Sequence, residues 1–186
     1  TPTRLQDLFR PYLSPNGAAD PLDASDENLV LRQFSDSLRE AGLIFSERTV
    51  LAFHTSLKIA DISPLVVLAG ISGTGKSLLP GLYAKFFGLY FLPISIQPRW
   101  DGPQDLFGFY NYMENRYKAT ELTRTLWQMD RYNNPAADDP AQRIQDGLAL
   151  VLLDEMNLAR VEYYFSELLS KLEMRRSIDP NAADQR

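Results

Sequence analysis

The chain has 186 residues, 45% of them hydrophobic, enough to bury a sizeable core. It carries a net charge of −5, 23% charged residues and no cysteine. These numbers exclude disulfides and thiolate metal sites, and they argue against a nucleic-acid-binding surface on this stretch, which would need clustered Lys and Arg. The first residues are polar and proline-bearing, without the apolar core of a secretory signal. No apolar run reaches the ~18 residues that span a bilayer. The expected setting is therefore cytoplasmic, with no membrane association.

In chain order, residues 1–13 carry Leu5, Leu8, Phe9 and Tyr12 at helical spacing, the pattern of a short docked helix. Residues 14–21 form a proline-bearing loop. A helix is expected to start near Ser25, with Asp26 and Glu27 in its first turn. Its apolar stripe is Leu31, Phe34, Leu38 and Ala41, and Gly42 ends it. Ser46 is the N-cap of a second helix, on which Val50, Phe53, Leu57 and Ala60 face one way. The single histidine, His54, flanks that stripe and reads as a packed side chain rather than a ligand. Residues 1–62 together read as a helical lead-in to a second domain over 63–186.

That domain begins with its most informative stretch. Pro64 ends one segment, and Leu65-Val66-Val67-Leu68-Ala69 reads as a short buried strand. Gly70, Ile71, Ser72, Gly73, Thr74, Gly75, Lys76 and Ser77 follow, fitting G-x-x-x-x-G-K-[ST] at every fixed position. Residues 78–87 read as a helix, with Gly88 at its C-cap. Strand, glycine loop and helix make the arrangement that cradles phosphates. Glycines let backbone N–H groups converge on an anion without Cβ clashes, and the helix N-terminus adds partial positive charge. Gly70 through Leu78 are the candidate nucleotide-binding residues. Lys76 would neutralise the β and γ phosphates, and Ser77 would hold Mg²⁺.

Residues 89–96 are a second strand, dense enough in apolar residues for burial on both faces of a parallel sheet. Residues 97–112 break the pattern. Pro98, Gly102, Pro103 and Gly108 punctuate them, and Trp100, Phe107, Phe109, Tyr110 and Tyr112 crowd them. They read either as a surface insert anchored by aromatics, a hairpin running through Tyr117, or as a loop that grips a polymer or a neighbouring subunit. Thr120 can cap a helix over 121–132. Residues 133–146 form a polar loop with one helical turn at 141–144. Residues 148–153 are the third strand, and a last helix covers 161–175, with Val161, Phe165, Leu168, Leu169 and Leu172 on its apolar face. Arg175 and Arg176 complement that helix's dipole.

The third strand ends in Asp154-Glu155, the Walker B pattern, some 80 residues beyond the phosphate loop. The pair has a chemical logic. Asp154 at a strand's carboxyl end can reach Mg²⁺ through a water or Ser77, and Glu155 can polarise the attacking water as a general base. Lys76 and Glu155 are the candidate catalytic residues, and Ser77 and Asp154 the candidate metal ligands. Taken together the elements imply an α/β fold of P-loop NTPase type, a parallel sheet flanked by helices.

The segments 70–77, Asp101-Gly102-Pro103-Gln104-Asp105-Leu106-Phe107-Gly108-Phe109-Tyr110 and Asp154-Glu155-Met156-Asn157 resemble the AAA+ module of McrB-type proteins, near the dynein and midasin branch. Residues 161–173 resemble the helix after Walker B in that family. The resemblance implies an ATP- or GTP-hydrolysing motor that works as a homo-oligomeric ring, a hexamer, in a DNA restriction or phage-defence complex. It also implies a nuclease partner and DNA contacts outside this segment. A MoxR-like or dynein-related chaperone ATPase, and a non-hydrolysing nucleotide-gated scaffold, are the alternatives. The chain departs from the family at Leu158, where an arginine is common and the next arginine is Arg160. In AAA+ proteins the sensor-one strand, arginine finger and helical lid come later than Walker B. The resemblance therefore implies a partial AAA+ domain, inactive as this fragment alone, whose strands 65–69 and 148–153 are not direct neighbours.

Overall fold

The computed structural model describes residues 27–60, 62–71, 73–129 and 148–174. They form a mixed helix-and-strand structure that divides into two compact units at Gly88 and Leu89. The expected helix in residues 1–13, the cap at Ser25 and the turn at 141–144 lie outside the described residues.

The first unit is helical. Helix α1 spans Glu27–Glu40 and buries Leu31, Phe34 and Leu38, one face at i, i+3 and i+7. Gly42 follows in the left-handed conformation, φ 77°, and the Leu43 N–H donates to the Leu38 carbonyl, closing the helix end. Helix α2 spans Glu47–Lys58. Ser46 caps it as the sequence predicts, its hydroxyl accepting from the Thr49 N–H at 3.1 Å. Helix α3, Leu78–Phe87, buries Leu79, Pro80, Tyr83 and Ala84 and ends at left-handed Gly88, φ 67°. Pro80 sits in the first turn of α3, where an amide has no intrahelical acceptor. The three helices meet in a cluster of rings. Phe34 meets Tyr83 edge-on at 5.5 Å, Phe53 meets Tyr83 at 5.2 Å, and Tyr83 lies 4.3 Å from Phe87.

Residues 65–69 do not form the expected strand. They run without regular structure and leave Val67 77% exposed. A strand is defined by its ladder, and among the described residues no other strand pairs with this stretch. Apolar composition alone therefore does not make it one.

The second unit holds the strands. Strand β1, Tyr90–Ser95, pairs in parallel with β4, Ala149–Asp154, in a register from Tyr90 opposite Ala149 to Ser95 opposite Asp154. Both strands fall where the apolar runs predict, and the parallel pairing requires the long crossover between them. In that crossover, α4 spans Pro103–Phe107 and α5 Glu121–Met129. Between these helices β2, Gly108–Asn111, and β3, Arg116–Ala119, form an antiparallel hairpin. Gly108 is needed there. Its φ is 111°, and a Cβ at this position would collide with the Lys118 carbonyl oxygen of the paired strand. After β4, a 3₁₀ turn over Met156–Leu158 leads to α6, Val161–Tyr164, and α7, Ser166–Met174. The expected single helix is thus broken at Phe165, although the Leu169 N–H still reaches the Phe165 carbonyl at 3.0 Å. The core of this unit is Leu92, Ile96, Leu106, Leu122, Tyr164 and Phe165.

Candidate functional site

The residues singled out by sequence fall into two groups, one in each unit. The glycine loop, residues 70–77, belongs to the helical unit and leads directly into α3. Ser72 lies outside the described residues. Gly70, Gly73 and Gly75 have φ of 154°, 82° and 83°, conformations that L side chains rarely adopt. At Gly75 there is a second reason. A Cβ there would stand 2.7 Å from the ring of Phe45, so the loop backbone lies directly against that ring. Sequence reading did not assign Phe45 to the loop, because nothing in residue spacing signals a ring packed on a glycine 30 positions later.

The loop folds around one carbonyl. The Lys76 ammonium donates to the Ile71 oxygen at 2.5 Å, and the Thr74 hydroxyl donates to the same oxygen at 3.0 Å. The Leu78 and Leu79 N–H groups donate to the Gly75 carbonyl at 3.1 and 2.9 Å, which winds the backbone into the start of α3. Ser77 stands at the N-cap of that helix with helical φ and ψ. Lys76 is thus held over the loop at a helix N-terminus, where the helix dipole and the ammonium are both positive. Such a place suits an anion that can compete for the ammonium with a neutral carbonyl.

Behind α3 lies a polar chain that the sequence does not announce. Tyr83 and His54 are both buried, and their Oη and Nδ1 atoms are 2.7 Å apart. The other ring nitrogen of His54 meets Glu27 Oε1 at 2.8 Å, and both Glu27 oxygens accept from the Lys58 ammonium at 2.8 and 2.7 Å. The packed reading of His54 holds, and the chain ties α1 and α2 to the helix that follows the glycine loop. Lys58 first, and His54 after it, hold the Glu27 carboxyl below its ordinary range. Burial, with the Glu27 charge as a lesser cause, pushes the Tyr83 phenol up to about 12.

The carboxylate pair belongs to the strand-bearing unit. Asp154 is the last residue of β4, half-buried, opposite Ser95. Its carbonyl accepts from the Ile96 N–H at 3.0 Å. Its Oδ1 accepts from the Glu155 N–H at 3.1 Å. Glu155 is exposed and has φ 56° and ψ 45°, one of two non-glycine residues in the left-handed region among those described. The chain therefore turns sharply where the strand ends, separating the two neighbouring carboxylates in backbone direction. Among the described residues no cluster of three or more His, Cys, Asp or Glu side chains could hold a metal ion by itself. A divalent cation here would have to be shared with phosphate oxygens and water, the usual habit of Mg²⁺.

The aromatic insert resolves into two parts. Trp100 and Phe107 pack against the core of their unit. Phe109, Tyr110, Tyr112 and Met113 are exposed on the hairpin, Met113 at 98%. The hairpin turn is built by Asn111, whose Oδ1 accepts from the Met113 and Glu114 N–H groups at 3.0 and 3.2 Å. Glu114 is paired with both Arg116 and Lys118.

Set against known protein families, curated proteins and solved structures, the chain finds no match in any of the three.

Proposed function

We propose that the chain is a P-loop NTPase module that binds ATP or GTP with Mg²⁺ and takes part in its hydrolysis. One observation carries this reading most. A full G-x-x-x-x-G-K-[ST] segment ends at the N-cap of a helix, with its glycines at positive φ and its lysine turned back over the loop. Lys76 would meet the phosphate charge, and the loop amides would donate to the phosphate oxygens. Ser77 and Asp154 are the residues that would hold Mg²⁺, which would supply charge neutralisation for the phosphates. Glu155 takes a proton from the attacking water.

The motif resemblance extends the proposal to a motor of McrB type. Such a motor would act as a hexameric ring in a DNA restriction or phage-defence complex with a nuclease partner, with its DNA contacts outside this segment.

The test is turnover by the complete polypeptide that carries this segment and by its Glu155→Gln variant, with ATP and with GTP. The substitution keeps the shape and removes the base. Turnover is expected to fall by the ~10²–10⁴ of a lost general base, with nucleotide affinity retained. Turnover at the wild-type rate would remove Glu155 from the chemistry. Tight binding with no turnover in the wild type would instead favour a nucleotide-gated scaffold.

A further inference from the structure

A side chain that the nucleotide reading does not use bonds to the residue after Glu155. Tyr164, on α6, is fully buried, at 0% exposure, in the core of the strand-bearing unit. Trp100 meets its ring edge-on at 5.4 Å. Its hydroxyl donates to the Met156 carbonyl at 3.0 Å. Phenylalanine would fill the same apolar space, so what tyrosine adds here is that one hydrogen bond.

Met156 is the residue after Glu155, and Glu155 is strained. A non-glycine residue in the left-handed region costs on the order of 1 kcal/mol and persists only when its surroundings hold it. Three bonds do so. On the strand side the Glu155 N–H is tied to Asp154 Oδ1 at 3.1 Å. Across the turn the Leu158 N–H donates to the Glu155 carbonyl at 2.9 Å. The third is the bond from Tyr164, which fixes the peptide immediately following Glu155 and is the only one of the three that joins the turn to the core. The first joins neighbouring residues at the end of β4 and the second closes the turn on itself, so neither reaches the core.

We propose that Tyr164 is a positioning residue: its buried hydroxyl, through the Met156 carbonyl, holds Glu155 in the left-handed turn that aims it for catalysis. The aim is defined by the reading of Glu155 as base, on which this rests. The holding is a structural claim that can be tested apart from it.

The experiment is Tyr164→Phe in the complete polypeptide that carries this segment, with Tyr163→Phe as control. Tyr163 is a half-exposed neighbour whose hydroxyl accepts from Arg160. Amide exchange at Leu158 and the backbone carbon shifts of Glu155 are followed by NMR. Relative to the amides of β1, Leu158 exchange is expected to rise about fivefold or more in Tyr164→Phe, the scale of one net hydrogen bond, and the Glu155 shifts to move away from left-handed values. Tyr163→Phe should change neither. In steady state, kcat should fall severalfold in Tyr164→Phe with KM within about twofold, because ground-state binding does not involve the turn. Unchanged exchange at Leu158 and unchanged Glu155 shifts in a folded Tyr164→Phe overturn the proposal, whatever the turnover. Wild-type turnover in Glu155→Gln would remove the base assignment, and the exchange result would still decide the positioning. If Tyr164→Phe does not fold, Trp100→Phe loosens the ring and must raise Leu158 exchange in the same way; failure to do so also overturns the proposal.

Discussion

Three single residues carry most of the proposed chemistry, and their surroundings differ. Lys76 is bound to a neutral carbonyl of its own loop, a partner that a phosphate oxygen outcompetes because an ionised acceptor makes a hydrogen bond roughly twice as strong. Lys76→Ala should therefore weaken ATP or GTP binding at least tenfold, about 1.4 kcal/mol, by calorimetry. Unchanged affinity would remove the loop from the nucleotide site. Gly75 is constrained twice, by φ 83° and by the ring of Phe45. Glu155 stands against its own backbone preference, with its N–H on Asp154 Oδ1, its carbonyl accepting from the Leu158 N–H, and the Tyr164 hydroxyl on the next carbonyl.

Among the described elements, the β2–β3 hairpin places no side chain in the core cluster of its unit. Tyr112 is 87% exposed, and Tyr110 spends its hydroxyl on Asn115 within the turn. A two-stranded hairpin with an apolar tip gains little by itself in water. Replacing both Tyr110 and Tyr112 by alanine should leave the melting temperature within a few degrees of wild type, since surface changes usually fall within about 0.5 kcal/mol. If the insert grips a polymer or a neighbouring subunit, the same variant loses stimulated turnover while its basal rate stays. Loss of the melting transition would make these tyrosines core residues and refute the surface reading. α3 behaves oppositely. It is packed through Tyr83 and Phe87 and tied by His54 to both preceding helices, which gives the helix behind the glycine loop a fixed footing.

Over the whole molecule, the titrating groups define a stability window. The Glu27 and Glu114 carboxyls sit below their ordinary value of 4.5 in the folded chain, drawn down by Lys58 and His54 and by Lys118 and Arg116. A depressed carboxyl adds stability above its unfolded pKa, and that part is lost as pH falls through the folded value. The phenols run the other way. Tyr83 is raised from 10.0 to about 12, and burial also raises Tyr90 and Tyr164. Their contribution is complete below the ordinary phenol value of 10.0 and is lost as pH rises through the folded values, for Tyr83 about 12. Denaturant midpoints should therefore form a plateau at neutral pH with an acid shoulder below 4.5 and an alkaline loss beginning near pH 10. Tyr83→Phe should blunt the alkaline loss, and an unchanged alkaline limb would remove Tyr83 as its source.

What the sequence by itself determined is local. The helices over Glu27–Glu40 and Glu47–Lys58 follow from apolar residues at turn spacing, and the caps at Ser46 and Gly88 follow from side-chain and backbone chemistry at one position. The glycine loop is legible because positive φ is a property of single residues. The strands Tyr90–Ser95 and Ala149–Asp154 were legible as apolar runs. The same kind of run at 65–69 misled, because a strand exists only when another strand supplies its hydrogen bonds, and that partner is not encoded in the run. Only the tertiary structure placed Phe45 on Gly75, joined Glu27, His54 and Tyr83 across 27 and 29 positions, and set the Tyr164 hydroxyl on the carbonyl after Glu155. Contacts of that kind depend on where distant backbones come to rest, and residue order carries no direct record of it.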